Sequence, residues 1–85
     1  MERVYVDMLV SYRADGSMAP RAFLWEDGSV CRISDSKLDR YYYEMKDSSK
    51  GDRYIITVDG QKSYAYFERS FSITGNNIGR WFVER

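Results

Sequence analysis

Histidine is absent from the 85 residues. That absence removes the Ser-His-Asp and Cys-His nucleophilic arrangements and most zinc sites, all of which need an imidazole. One thiol, some carboxylates and lysines, and a group of tyrosines are what remain for chemistry. Cys31 falls mid-strand on the side expected to be buried, where a small hydrophobe is the simpler account than a reactive thiolate. The stretch DGQKS at 59–63 sets a lysine ahead of a serine but lacks the glycine spacing of a phosphate-binding loop. DSSKGD at 47–52 offers Asp47, Ser49 and Asp52 as oxygen ligands for calcium. No bidentate Glu follows at the required place and no helices flank it, so a solvated turn is expected. Glu26 and Asp27 sit together in a turn, where such residues set geometry and solubility. The residues therefore predict no catalytic set, no metal site and no cofactor, and the chain is expected not to be an enzyme.

The tyrosines are the better lead. LDRYYYEMK at 38–46 places Tyr41, Tyr42 and Tyr43 in a row. As a strand it would turn Asp39, Tyr41, Tyr43 and Met45 to one face and Leu38, Arg40, Tyr42 and Glu44 to the other. One face must pack and the other must meet solvent or a partner, so at least one tyrosine is expected outward beside charged neighbours. Tyr12 with Arg13, Arg40 with Tyr41, and Arg80 with Trp81 are aromatic-cation pairs of the kind that stack bases and track phosphates on single-stranded nucleic acid. Tyr, Trp and Arg are equally the residues that dominate protein interfaces. The candidate binding residues are Arg40, Tyr41 and Tyr43, with Tyr12 and Arg13 beside them.

Turn signals at roughly ten-residue spacing punctuate the chain, which suggests an all-β meander. RVYVDMLVSY alternates, with Val4, Val6, Met8 and Val10 on one face. RADGS makes a loop, and MAPRAFLWE is a second strand whose Pro20 must sit at an edge or bulge because it has no N–H to donate. WEDGSVCRI is a tight hairpin in either of two registers. A two-residue Asp27-Gly28 turn would pair Trp25 with Val30. A three-residue turn with Gly28 left-handed would pair Phe23 with Cys31, and it is preferred because it gathers Phe23, Trp25, Cys31 and Ile33 on one face. A strand over Leu38 to Met45 follows, then RYIITVDG with Tyr54, Ile56 and Val58 inward. A second Asp-Gly turn leads into QKSYAYFER, SFSITGNNIG breaks the pattern, and RWFVER closes it. The expected fold is all-β: about six short strands in a small, strongly bent antiparallel meander or barrel of the SH3-like or OB-like kind. The expected core holds Phe23, Trp25, Tyr54 and Trp81.

Composition agrees with one small domain over 1–85, near the lower end of what folds on a single core. Eight Tyr, four Phe and two Trp fill a core with few residues. Thirteen basic and thirteen acidic residues balance, six and seven up to Tyr43 and seven and six after it, so no basic or acidic arm exists. No apolar run approaches a membrane span, and no membrane partner is expected. The lone cysteine excludes an internal disulfide. With the acids Glu2 and Asp7 in the opening stretch and no signal-peptide apolar region there, it predicts a cytoplasmic protein.

The succession WEDGSVCRI, RYIITVDGQKSYAYFER and RWFVER resembles a family of short bacterial proteins, mostly Gram-positive, that carry WEDG, RY, YxFFE and WFVE in that order and have no assigned activity. The likeness runs through Val4, Val6, Asp7, Trp25 to Gly28, Ile33, Leu38, Asp39, Arg53, Tyr54, Gly60, Tyr64, Phe67, Glu68 and Trp81 to Glu84 and spans nearly the whole chain. It implies the fold and little chemistry. The family is itself distantly similar to small barrel modules found with error-prone DNA polymerases. The chain departs from the pattern in the tyrosine run, where smaller or basic residues are usual, and in a longer connection at 70–79. Together these observations predict a non-enzymatic small β-barrel that acts as a protein-interaction or adaptor module, through a protein partner or self-association. The alternative is a barrel that binds single-stranded nucleic acid, accessory to DNA repair or replication.

Overall fold

The computed structural model describes residues 2–44, 50–69 and 79–84, with the side chains of Tyr42 and Tyr43 outside the described set. Seven strands form one antiparallel sheet: β1 (Arg3–Tyr12), β2 (Met18–Leu24), β3 (Val30–Arg32), β4 (Asp35–Glu44), β5 (Lys50–Val58), β6 (Gln61–Glu68) and β7 (Arg80–Glu84). Their spatial order is β3-β2-β1-β7-β6-β5-β4. The expected all-β, strongly bent meander is the observed architecture. Among the described residues it has seven strands where about six were expected.

Three Asp-Gly turns build the hairpins, in two ways. In RADGS and WEDGS the glycine is left-handed, at φ 88° for both Gly16 and Gly28. The hairpin is closed from the residue before the turn: Trp25 N–H donates to Ser29 O and Gly28 N–H to Trp25 O, as Arg13 and Gly16 do in the first loop. Asp15 and Asp27 each accept the N–H and hydroxyl of the serine two residues on. Those bonds hold both carboxyls below the usual carboxylate range. The three-residue register is the one adopted, with Phe23 opposite Cys31. Asp59-Gly60 instead makes a two-residue turn with both residues at positive φ and Val58 opposite Gln61.

The sheet curls because the chain crosses its open side in two residues. Ile33 N–H donates to Arg21 O on β2, and Ser34 N–H donates to Thr57 O on β5. Beyond that corner β4 lies near β2 without pairing to it. Bulges supply the bending. On β2 it falls at Arg21, between Pro20 and Ala22, so Pro20 sits at a bulge as its missing N–H requires.

The concave face collects Val4, Phe23, Ile33, Tyr54, Ile56, Ala65, Trp81 and Val83, with Val6, Met8, Val10, Trp25, Cys31 and Val58 packed against them. All four expected core aromatics lie here. The convex face has a second aromatic cluster. Phe82 stacks on Tyr66 at 4.7 Å and meets Tyr5 edge-on at 5.5 Å. Arg3 lies over Phe82 and Arg80 over Tyr5, while Glu68 accepts bonds from Arg3, Tyr5 and Arg80. This lattice of rings and ions leaves Phe82 only 2% exposed on an outer face.

Gly79 leads into β7 at a place where a Cβ would run into the Phe67 ring and the Glu68 carbonyl oxygen. Gly79→Ala is expected to cost about 2 kcal/mol in urea unfolding. Gly16→Ala meets nothing within 4 Å and bears only its left-handed backbone. Its expected cost is about 1 kcal/mol.

Candidate functional site

Where the curl stops short of closure, a cleft of about 610 Å³ opens between β2 and β4. One lip is the β1–β2 hairpin, with Tyr12, Arg13, Met18 and Ala19. The other is Ser36, Lys37, Leu38 and Tyr41 of β4, and the floor is Asp52, Tyr54, Phe67 and Arg69. Tyr54 and Phe67 each pack on Trp81, at 5.3 and 5.2 Å between ring centres, so the floor stands on the buried indole. Tyr12 is 72% exposed, Tyr41 67% and Leu38 44%.

Asp52 is a buried strand residue, and both its carboxylate oxygens accept from Arg69 Nη2 at 3.1 Å. Arg69 also lies over the Tyr41 ring at 4.9 Å, so the ion pair positions one wall of the cleft. Burial, with the Asp52 charge nearby, pushes the Tyr54 hydroxyl above the ordinary tyrosine value. Three cations (Arg13, Lys37, Arg69) against one carboxylate (Asp52) leave the described lining at +2 in a chain of zero net charge.

Of the five candidate binding residues, the structure brings Tyr12, Arg13 and Tyr41 to this cleft. Arg40 is exposed but does not line it. Tyr43 pairs through its backbone with Gly51, and its side chain lies outside the described set. The even two-faced alternation expected of β4 is corrected. The register slips between Leu38 and Arg40 and again between Arg40 and Tyr43. Asp39 consequently bonds Arg53, whose guanidinium covers Tyr64 on the convex side, while Leu38 and Tyr41 both line the cleft. Arg80 and Trp81 make no joint site: Arg80 reaches Glu68 and Tyr5 on the convex face, and Trp81 is buried on the other.

Asp52 is engaged in a strand, and Asp47 and Ser49 of the calcium-like stretch lie outside the described residues. Among the described residues no three His, Cys, Asp or Glu side chains group to hold a metal, and no helix is long and apolar enough to cross a membrane. Leu38, Lys37 and the Asp52–Arg69 pair escape a sequence reading. The first two join Tyr41 at the cleft only because the register slips after Leu38, and the pair joins residues 17 apart with no motif to announce it. Comparison with protein-family models, curated proteins and solved structures finds no match to the chain.

Two titrations check these environments. Burial pushes the Cys31 thiol up, so its reaction with a disulfide reagent at pH 8 is expected to be slower than that of free cysteine until denaturant is added. Tyr54 ionises above its unfolded value of 10.0, so its contribution to stability is whole below pH 10 and is lost as pH rises through the folded value. Absorbance at 295 nm should show a late tyrosinate step that Tyr54→Phe removes.

Proposed function

We propose that the chain is a non-enzymatic protein-interaction module of the cytoplasm, related to the short bacterial proteins it resembles, whose concave cleft takes an extended acidic segment of a partner protein. The observation that carries this reading is the convergence of Tyr12, Leu38 and Tyr41, three well-exposed apolar side chains, on one cleft from opposite lips. Aromatic rings immobilised at little entropic cost are the usual anchors of protein interfaces. Among the described residues β4 pairs on one side only, with β5, so its outer edge runs along the cleft in the manner of grooves that receive extended peptides. Its two bulges and the charged Lys37 and Arg40 discourage indiscriminate strand pairing at that edge. Arg13 and Lys37 on the lips favour an acidic guest.

The same +2 lining supports a second reading, a single-stranded nucleic acid with bases on Tyr12 and Tyr41 and phosphates on Arg13 and Lys37. The two readings separate on salt. Peptides selected from a random displayed library on the wild-type protein should shift the amides of Ala19, Leu38 and Tyr41 in NMR titrations. Tyr12→Ala and Tyr41→Ala should each weaken them about tenfold, the first leaving the melting temperature unchanged. A mixed single-stranded DNA oligomer that shifts the same amides with a steep loss of affinity from low to moderate salt, where no peptide does, would overturn the protein reading in favour of nucleic acid.

A further inference from the structure

The convex side of β1, β2 and β3 carries six residues in two cross-strand rows. Asp7, Leu24 and Val30 form one, and Leu9, Ala22 and Arg32 form the other. Leu9 is 67% exposed, Val30 57% and Leu24 41%. A shallow depression of about 360 Å³ lies among them. A contiguous aliphatic patch of this kind is more than the scattered apolar exposure every surface shows. Asp7 and Arg32 stand at opposite corners, about 12 Å apart by strand spacing and rise. Among the described residues neither has an ion pair, and the neighbouring Arg80 is committed to Glu68 and Tyr5.

We propose that this face binds a second copy of the chain, sheet against sheet, about a two-fold axis that lies in the interface across the Asp7–Arg32 diagonal. A two-fold interface must complement itself, because each residue meets the patch it belongs to. This grid does so. Rotation sets Asp7 of one copy against Arg32 of the other at both ends, and leaves Leu9, Leu24 and Val30 facing their own kind between them. The reverse arrangement, along the other diagonal, would put carboxylate beside carboxylate. The acid and base thus select the orientation while the aliphatic side chains provide the attraction. Six residues a side make a small interface, so a weak, concentration-dependent dimer is expected. The cleft is on the opposite face of the sheet, so the dimer neither needs nor blocks what binds there.

Sedimentation equilibrium from about 5 μM to about 500 μM reads the proposal directly. The weight-average mass should rise from 10.1 kDa toward twice that value. Leu9→Lys should weaken association at least about tenfold, and so should Asp7→Arg and Arg32→Asp singly. The double reversal, Asp7→Arg with Arg32→Asp, should restore association to within about threefold of wild type, since each new base again meets a new acid. All three positions are exposed in the monomer, so melting temperatures serve as the check that each variant folds. The charge pair keeps the test intact should Leu9→Lys not fold. A wild-type monomer at every concentration overturns the proposal. So does a dimer indifferent to these changes, which would lie on another surface, or a double reversal that fails to recover what the single reversals lost.

Discussion

Two consecutive peptide groups decide the shape of this molecule. The N–H of Ile33 bonds to β2 and that of Ser34 to β5, strands four spacings apart in the sheet order. In a flat sheet those strands would lie about 19 Å from each other, yet neighbouring residues of an extended chain advance only about 3.3 Å. Both bonds can form only if the sheet rolls over on itself. The roll brings Phe23 and Ile33 against Tyr54 and Ile56 and makes one core from two hairpin systems. It also makes the cleft. Past the corner, no described strand pairs β2 with β4, and the cleft lies between them.

Curvature divides the two faces into different tasks. The inner face is apolar over most of its area and turns polar only at the open end, where Asp52 and Arg69 neutralise each other below Tyr41. The outer face would be unable to bury anything by itself. Arg3, Arg80 and Glu68 cover its rings there, with their alkyl stems and their charges paired. Acid and base thus cancel over the chain without cancelling locally. Total charge is a poor guide to what such a surface attracts, and the zero balance that argues against an anionic partner at the level of composition loses its force at the level of the cleft.

Much of the fold was legible in the residues because the signals were local. RVYVDMLVSY alternates without interruption, and its four inward residues are the inward residues of β1. WEDGS carries the glycine a left-handed turn position needs, which fixes the hairpin register and with it the face of Phe23, Trp25, Cys31 and Ile33. β4 was legible only as a strand. Its faces depend on where two bulges fall, and a bulge is a response to the curl of the whole sheet, with no marker such as glycine or proline in LDRYYY. For that reason Arg40 and Tyr41 share a sequence neighbourhood but not a site, while Tyr12 and Tyr41 share a site across 29 positions of chain. Pairings such as Asp52 with Arg69, or Glu68 with Arg3, join strands through the assembled sheet and leave no trace in composition or spacing.

The place of β7 has a consequence for folding. Among the described strands it is last in chain order and central in the sheet, with β1 on one side and β6 on the other. Without it, β1–β3 and β4–β6 are two groups with facing edges and no strand to join them. Trp81, which supports the floor of the cleft, and Phe82, which fills the outer cluster, both belong to that strand. Any state in which β7 is undocked therefore carries two exposed edges and two half-built cores, and is the form of the molecule most open to edge-to-edge aggregation.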